Sequence, residues 1–443
     1  MKDQGSKFQV PGSKLDVQGQ AKVNGRISCC GRGALTPHKT PSWPFRTVAQ
    51  GLLFSVWLPI LPLAATAQPS SVDSVVNVND VLKPIIAKYG IPGMAAVVLQ
   101  GDHIIAQGVA GARKAGSPTP ITIDDRFHLG SDGKAMTATL IAMLIEEGRL
   151  TWSTTIGDVF GDTVKDIDPA WKTVTIEQLL THRAGAPADL HADGLWTRLW
   201  ERKGTPTQQR LQLVAGVLSS PPEYPPGSKF VYSNADYAIV GAMAEKITGR
   251  AWEGLLQERL FKPLNITTAG FGAPGEFGKI DQPLGHTASG KPIEPGPRSD
   301  NPPAIAPAGT VYMSMPDWAK FIALHLRGDP SNPNREVRLL SADSFAMLHA
   351  PAPGPGEKYA CGWMVVQRPW AKGDKTDSVG LALTHTGSNT MWYCDVWVAP
   401  EKDFAVLVAC NQGGDNAFKA CDEAIGALLH EVLRYKSKPA SIQ

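Results

Sequence analysis

The sequence predicts an α/β (α+β) fold, an antiparallel sheet flanked by helices with an all-α segment inserted between its two halves. Three observations carry this. Strand patterns stand early in the body of the chain, at Met94–Leu99 and His103–Ala110, joined by the turn residues Gln-Gly-Asp. Strand patterns return in the last quarter, at Cys361–Gln367, Met391–Val398 and Phe404–Cys410. Between them apolar residues recur at three- and four-residue spacing, the mark of helices. Strands at both ends with helices between point to one sheet assembled from both parts of the chain. The divisions expected are a leader over 1–67, a first part of the α/β domain over 68–150, an inserted helical domain over 151–310 and a second part of the α/β domain over 311–443.

The leader stands apart by charge and hydropathy. Residues 1–67 hold eight Lys/Arg against Asp3 and Asp16, so the rest of the chain is mildly acidic although the formal net charge is +2. A mildly acidic body gives no electrostatic reason to expect nucleic-acid binding. Gly51–Ala65 is an apolar run preceded by Lys39 and Arg46 and followed by the small-x-small triplet Ala65-Thr66-Ala67. This reads as a signal peptide cleaved before Gln68, and the alternative is a retained anchor. The run is short for a span and contains Pro59 and Pro62, which favours cleavage. An exported protein, periplasmic or secreted and without a stable membrane anchor after cleavage, is the expectation. Residues 1–45 are too long for an ordinary n-region, so the true start site stays open. The whole chain has 43% hydrophobic residues and so an ample core.

Each element then follows in order. Val76, Val81, Leu82, Ile85 and Ile86 predict an amphipathic helix over 71–89, ended by Gly90 and Pro92. Residues 128–148 predict a helix carrying Met136, Leu140, Met143 and Leu144 and stopped by Gly148. Thr175-Ile-Glu-Gln178 is a capping-box pattern opening a helix over 176–182. Helices are expected over 206–219 and 235–249, the latter ended by Gly249. Residues 283–308 hold seven prolines and predict a loop long enough to suspect a function. Ser314-Met-Pro-Asp opens a helix to Leu326, stopped by Gly328, and a final helix covers about 417–433.

Of the cysteines, Cys29 and Cys30 belong to the leader. Cys394 and Cys410 flank a hairpin turn at similar distances, so a disulfide and buried free thiols both remain open. No Cys/His spacing resembles a metal site, so no metal and no cofactor is expected.

Three stretches carry chemistry. In the first, Ser131 opens the 128–148 helix and Lys134 follows one turn later on the same side. A serine hydroxyl needs a base within hydrogen-bond reach, and a lysine becomes one when burial lowers its pKa. The bland alternative is a capping serine beside a solvated lysine. In the second, Tyr232 and Asn234 precede a helix. A phenol there can relay a proton and an amide can hold a substrate amide, whereas the bland alternative is a half-buried aromatic and an N-cap. In the third, Leu383-Thr-His-Thr-Gly-Ser-Asn389 is a strand that turns polar and ends in a Gly that lets a substrate backbone approach. No serine sits in Gly-x-Ser-x-Gly, which argues against an α/β-hydrolase.

Ser-x-x-Lys, then Tyr-x-Asn, then a His-Thr-Gly strand resembles, in order and separation, the serine β-lactamase and penicillin-binding protein superfamily. The likeness is to class C β-lactamases and DD-carboxypeptidase-like serine hydrolases. Leu179-Leu-Thr-His-Arg-Ala-Gly, Pro226-Gly-Ser-Lys-Phe-Val-Tyr-Ser-Asn and Phe261-Lys-Pro-Leu-Asn add to it, and it covers roughly residues 75–435. The resemblance implies a β-lactamase/transpeptidase-like fold with a cleft between the α/β part and the inserted helices. It implies that Ser131 is acylated, that Lys134 and Tyr232 exchange its proton, and that Asn234 holds the substrate amide. His385, Thr386, Gly387 and Ser388 would line the opposite wall, with the backbone N–H groups of Ser131 and Ser388 as the oxyanion hole. The departure is His385, since class C enzymes typically carry lysine there. An imidazole is a weaker carboxylate anchor at neutral pH than an ammonium. The reading is an exported serine hydrolase acting on an amide or ester of a D-amino-acid peptide, a β-lactam or an ester. The alternative is a penicillin-binding sensor that acylates without efficient turnover. A small-molecule or short-peptide substrate is the expected partner; the oligomeric state is not legible.

Overall fold

A computed structural model describes residues 75–436 apart from Glu357; the leader and cleavage site expected from the sequence lie outside the described residues. The described residues fall within one compact unit, Pro69–Gln443. Its frame is a seven-stranded sheet of β1 (Val76–Asn77), β2 (Gly93–Gln100), β3 (His103–Gly111), β4 (Met364–Gln367), β5 (Leu381–Ser388), β6 (Tyr393–Ala399) and β7 (Phe404–Cys410), in the order β1-β3-β2-β7-β6-β5-β4. All pairings are antiparallel except β1 with β3, which makes the sheet mixed. As the strand patterns at both ends require, the central seam joins β2 to β7.

Both faces of that seam are covered, so its strands are nearly continuous apolar runs. In β7, Phe404, Val406, Val408 and Cys410 face one layer, and Ala405, Leu407 and Ala409 face the other. The first layer is closed by α1 (Asn79–Tyr89) and the C-terminal helix Asp415–Lys436. The second holds α2 (Gly133–Glu146) and leads to α3 (Ile176–Leu180), α4 (Pro206–Leu218), α5 (Asn234–Thr248) and α6 (Met315–Gly328).

Helix α2 is the centre of the second layer. Every residue from Gly133 to Leu144 is buried, so the helix has no solvated side. Its polar residues therefore need internal partners. Thr137 Oγ1 donates to the Pro307 carbonyl at 2.7 Å and Thr139 Oγ1 to the Ala135 carbonyl at 2.7 Å. The Thr175–Gln178 capping box forms as the sequence predicts.

Three local expectations are corrected. The first helix begins at Asn79, not near 71, because Val76 and Asn77 pair with β3 and the Asn77 side chain accepts the Asn79 N–H at 2.9 Å. The strand expected over 361–367 starts at Met364. Gly362, at φ +87°, turns the chain beneath α2, where a Cβ would lie 2.6 Å from the Ala135 backbone. The disulfide alternative for Cys394 and Cys410 is excluded. Cys410 pairs with Tyr393 and Cys394 with Ala409, and this one-residue offset sends the two thiols to opposite faces. All four described cysteines are free and buried, and Cys410 Sγ meets Cys421 Sγ at 3.7 Å instead.

Among the described residues no helix is long and apolar enough to cross a membrane.

Candidate active site

Ser131 sits in a single 3-10 turn, Gly130–Asp132, that runs directly into α2. One helical turn on, Lys134 Nζ lies 3.0 Å from Ser131 Oγ. The same nitrogen lies 2.7 Å from Asn234 Oδ1 and 2.8 Å from the Ala308 carbonyl. Asn234 and Ala308 offer only acceptor oxygens to it, so they take two amine hydrogens. The third direction, toward Ser131, is where a neutral amine keeps its lone pair. Lys134 is fully buried, and that burial brings its pKa down to about 7, against the opposing pull of Asp132 and Asp236. A solvated lysine is ruled out by this geometry.

Tyr232 comes from the extended stretch before α5. The N-cap of α5 is Ser233, whose Oγ accepts the Ala235 N–H at 3.1 Å, so Asn234 is freed for Lys134 rather than spent on capping. The Tyr232 ring lies 4.8 Å from Lys134 Nζ. Burial pushes its phenol above the ordinary range, the Ser131 hydroxyl pulls the other way, and Asp132 adds to the rise. The phenol therefore stays protonated, and of the two candidate bases Lys134 is the one able to accept the serine proton near neutral pH.

Behind these residues stands a shell that the motifs do not single out. His182 packs against Tyr232 with ring centroids 4.4 Å apart and the planes tilted, and its Nδ1 is 2.8 Å from Asp236 Oδ2. Burial drives His182 well below and Asp236 well above their ordinary values. His182 lies within the Leu179–Gly185 stretch and Asp236 two residues past the Tyr232–Asn234 motif, in the first turn of α5; only the fold pairs them. Ala308 belongs to the short helix Ala306–Gly309 that ends the proline-rich segment, which thereby reaches the site.

The opposite wall is β5. Its pairing with β4 stops at Thr384, which leaves the edge from His385 to Ser388 without a β4 partner. Alternation turns His385 and Gly387 toward the Ser131 turn and Thr386 and Ser388 away, both partly exposed. His385 is more engaged than its motif implies. Its Nδ1 is 2.8 Å from the Thr386 carbonyl and 3.3 Å from Asp132 Oδ1, and its Nε2 is 3.1 Å from the Tyr359 hydroxyl. A substrate carboxylate would have to compete with Tyr359 for the imidazole. Asp132 itself is held up by burial, with His385 opposing, and accepts from Cys394 Sγ at 2.9 Å.

The Ser131 turn and β5 approach closely because glycines allow it. Gly130 has φ +49°, and a Cβ there would lie 2.3 Å from the Ser388 nitrogen. A Cβ on Gly387 would lie 1.9 Å from the Leu129 carbonyl oxygen. Gly130→Ala is expected to cost at least about 1–2 kcal/mol from the left-handed backbone alone and to push the two peptides apart. Thermal unfolding and ester hydrolysis, measured together, check this; unchanged hydrolysis would mean that the spacing of the turn and β5 does not matter.

The site thus collects Ser131, Lys134, Tyr232 and Asn234 in direct contact, with His385, Gly387 and the Ser388 backbone across from them. No group of His, Cys, Asp and Glu among the described residues is arranged to hold a metal.

Comparison with known proteins agrees in extent with this architecture. The Beta-lactamase family model matches residues 78–430. Penicillin-binding protein 4 of Amycolatopsis lactamdurans is 29% identical over 369 residues, which are 80% of this chain and 91% of that protein. A class C beta lactamase from Rhodobacter sphaeroides shares the fold with a TM-score of 0.62 at 19% identity, over 79% of this chain and 97% of that one. A D-alanine carboxypeptidase from Burkholderia cenocepacia does so with a TM-score of 0.59 at 21% identity, over 78% and 96%.

Proposed function

Because the chain belongs to the Beta-lactamase family, with its serine hydrolases and penicillin-binding proteins, we propose that it is a hydrolase that opens an amide or ester through an acyl-enzyme on Ser131. The observation that carries this is the buried Lys134 amine 3.0 Å from Ser131 Oγ, lowered to about 7. In the proposed sequence neutral Lys134 takes the Ser131 proton as Oγ attacks the carbonyl carbon. The oxyanion forms against the N–H groups of Ser131 and Ser388. Tyr232 gives its hydroxyl proton to the leaving nitrogen or oxygen and regains one from protonated Lys134, and water then hydrolyses the acyl group to release it and restore the Ser131 hydroxyl.

The open edge of β5 supports a substrate with a peptide-like backbone, since an extended chain can add to such an edge. D-amino-acid peptides, β-lactams and simple esters are the substrate classes in view. The leader pattern supports export, where such substrates are met.

Two probes test the reading. A fluorophosphonate tests for an activated serine, and a fluorescent penicillin separates turnover from trapping. Labelling of Ser131 by the first, with transient labelling and product release from the second, is the expected result. A stable penicillin adduct would make the protein a binder or sensor; the Amycolatopsis relative is named for penicillin binding. Labelling by neither would rule out the reading.

A pH dependence follows from Lys134. The base must be neutral, so the acylation rate should be low below about pH 7, rise through it and level off above. The measurement is kcat/KM for a neutral ester across that range. A flat profile would remove Lys134 as the base.

A further inference from the structure

We propose that Asp300 is a positioning residue that clamps together the two strands of backbone forming the oxyanion hole; this rests on the acyl-enzyme reading above. Asp300 lies in the proline-rich 283–308 segment, whose length invited a function that the motifs leave unassigned. It is buried at 4% exposure, between His128 at 0% and Asn389 at 4%. Each of those neighbours belongs to one side of the oxyanion hole.

On the nucleophile side, His128 precedes the Ser131 turn by two residues. Its Nδ1 accepts the Gly130 N–H at 3.1 Å. That bond fixes the tautomer, because Nδ1 must present a lone pair and the proton must sit on Nε2. His128 Nε2 faces Asp300 Oδ2 at 3.0 Å, a close polar contact short of hydrogen-bond alignment, and neither buried atom has a hydrogen-bond partner among the described residues. On the strand side, Asn389 directly follows Ser388. Its Nδ2 donates to Asp300 Oδ1 at 3.0 Å, and its Oδ1 accepts the Met391 N–H at 3.2 Å. With one oxygen the carboxylate therefore contacts the residue that fixes the Leu129–Gly130 peptide, directly before the peptide that carries the Ser131 N–H. With the other it holds the residue next to Ser388. The segment that presents Asp300 is itself tied down, since Arg202 Nη2 donates to the Asp300 and Asn301 carbonyls at 2.9 and 3.2 Å.

The geometry explains why a buried carboxylate is kept here. Oxyanion donors act through their placement at the tetrahedral oxygen, and removal of one donor typically costs about 10²–10³ in rate. Loosening the frame that holds both donors should cost a fraction of that, mostly in the chemical step. Ground-state binding along the edge of β5 and the base geometry at Lys134 do not involve Asp300.

The test uses Asp300→Ala, Asn389→Ala and the double variant of the full chain, with a neutral p-nitrophenyl ester and a fluorophosphonate. Each single variant should lower kcat about 10- to 100-fold with KM changed less than about threefold, while fluorophosphonate still labels to full stoichiometry, only more slowly. The double variant should fall little below the worse single one, because the two residues act through one clamp. Unchanged rates, effects that multiply in the double variant, or a loss confined to KM would each overturn the clamp. If Asp300→Ala does not fold, Asp300→Asn keeps the size of the side chain and is read the same way; its wild-type kcat would overturn the proposal. Wild-type protein that fails to react with fluorophosphonate at all would instead sink the acyl-enzyme reading, which separates the two failures.

Discussion

Ser131→Ala should abolish acylation by fluorophosphonate and lower ester hydrolysis by at least about 10⁴-fold, the scale on which removing a nucleophile acts when the rest of the site survives. The fold should not suffer. The Ser131 hydroxyl caps neither the 3-10 turn nor α2. Its contacts with Lys134 and Tyr232 give way to a methyl group in a buried site. Intact-mass analysis after labelling and a thermal melt, run side by side, decide the matter. Hydrolysis at the wild-type rate would mean another nucleophile, and a collapse in stability would mean that the hydroxyl has a structural role the geometry does not show.

Lys134→Ala is the second large effect. A general base is typically worth about 10²–10⁴ in rate, so a loss of at least two orders of magnitude in the acylation rate is expected. The rise of activity through about pH 7 should vanish with it. Lys134→Met is the informative companion. It fills the same volume, removes the amine, and takes away an ionisable group buried with no exposure. Its activity should fall with that of the alanine variant while its melting temperature stays at or above the wild type. A loss of less than tenfold in both would point to Tyr232 as the base, against the rise that burial imposes on its phenol.

How much of this was legible beforehand depends on whether the contact is local. Ser131 and Lys134 meet because a helix sets residues three apart on one side, and the sequence marks that helix clearly. Tyr232 and Asn234 needed three motifs in order. The strands at both ends were readable from their apolar runs, and the seam between β2 and β7 follows from them. What was not readable depends on single-residue offsets and on distant pairs. The Cys394 and Cys410 question turned on register, and nothing in residues 394–410 fixes whether two positions face the same side. Two partners of His385, Asp132 and Tyr359, come from outside its strand, so the motif gives the imidazole and its Thr386 neighbour without these engagements. His182 with Asp236, and His128 with Asp300 and Asn389, are joined only by the fold. The proline-rich segment offered a hint in its length, but not which of its residues reach inward.

The β2–β7 seam also has a consequence for how the protein comes into being. Val97 pairs with Leu407 across the middle of the sheet, a sequence separation of roughly 300 residues, and pairings this distant make folding slow because loop closure precedes any gain. A nascent chain that has emerged only as far as α6 already contains Ser131, Lys134, Tyr232 and Asn234, yet it lacks β5, β6 and β7. Such a chain has no Ser388 and no surface for the Ser131 turn to rest on. If Ser131 is acylated as proposed, competence for that step arrives late and at once, when the last strands close the sheet, and truncated or half-made chains hold Ser131 without the wall it works against.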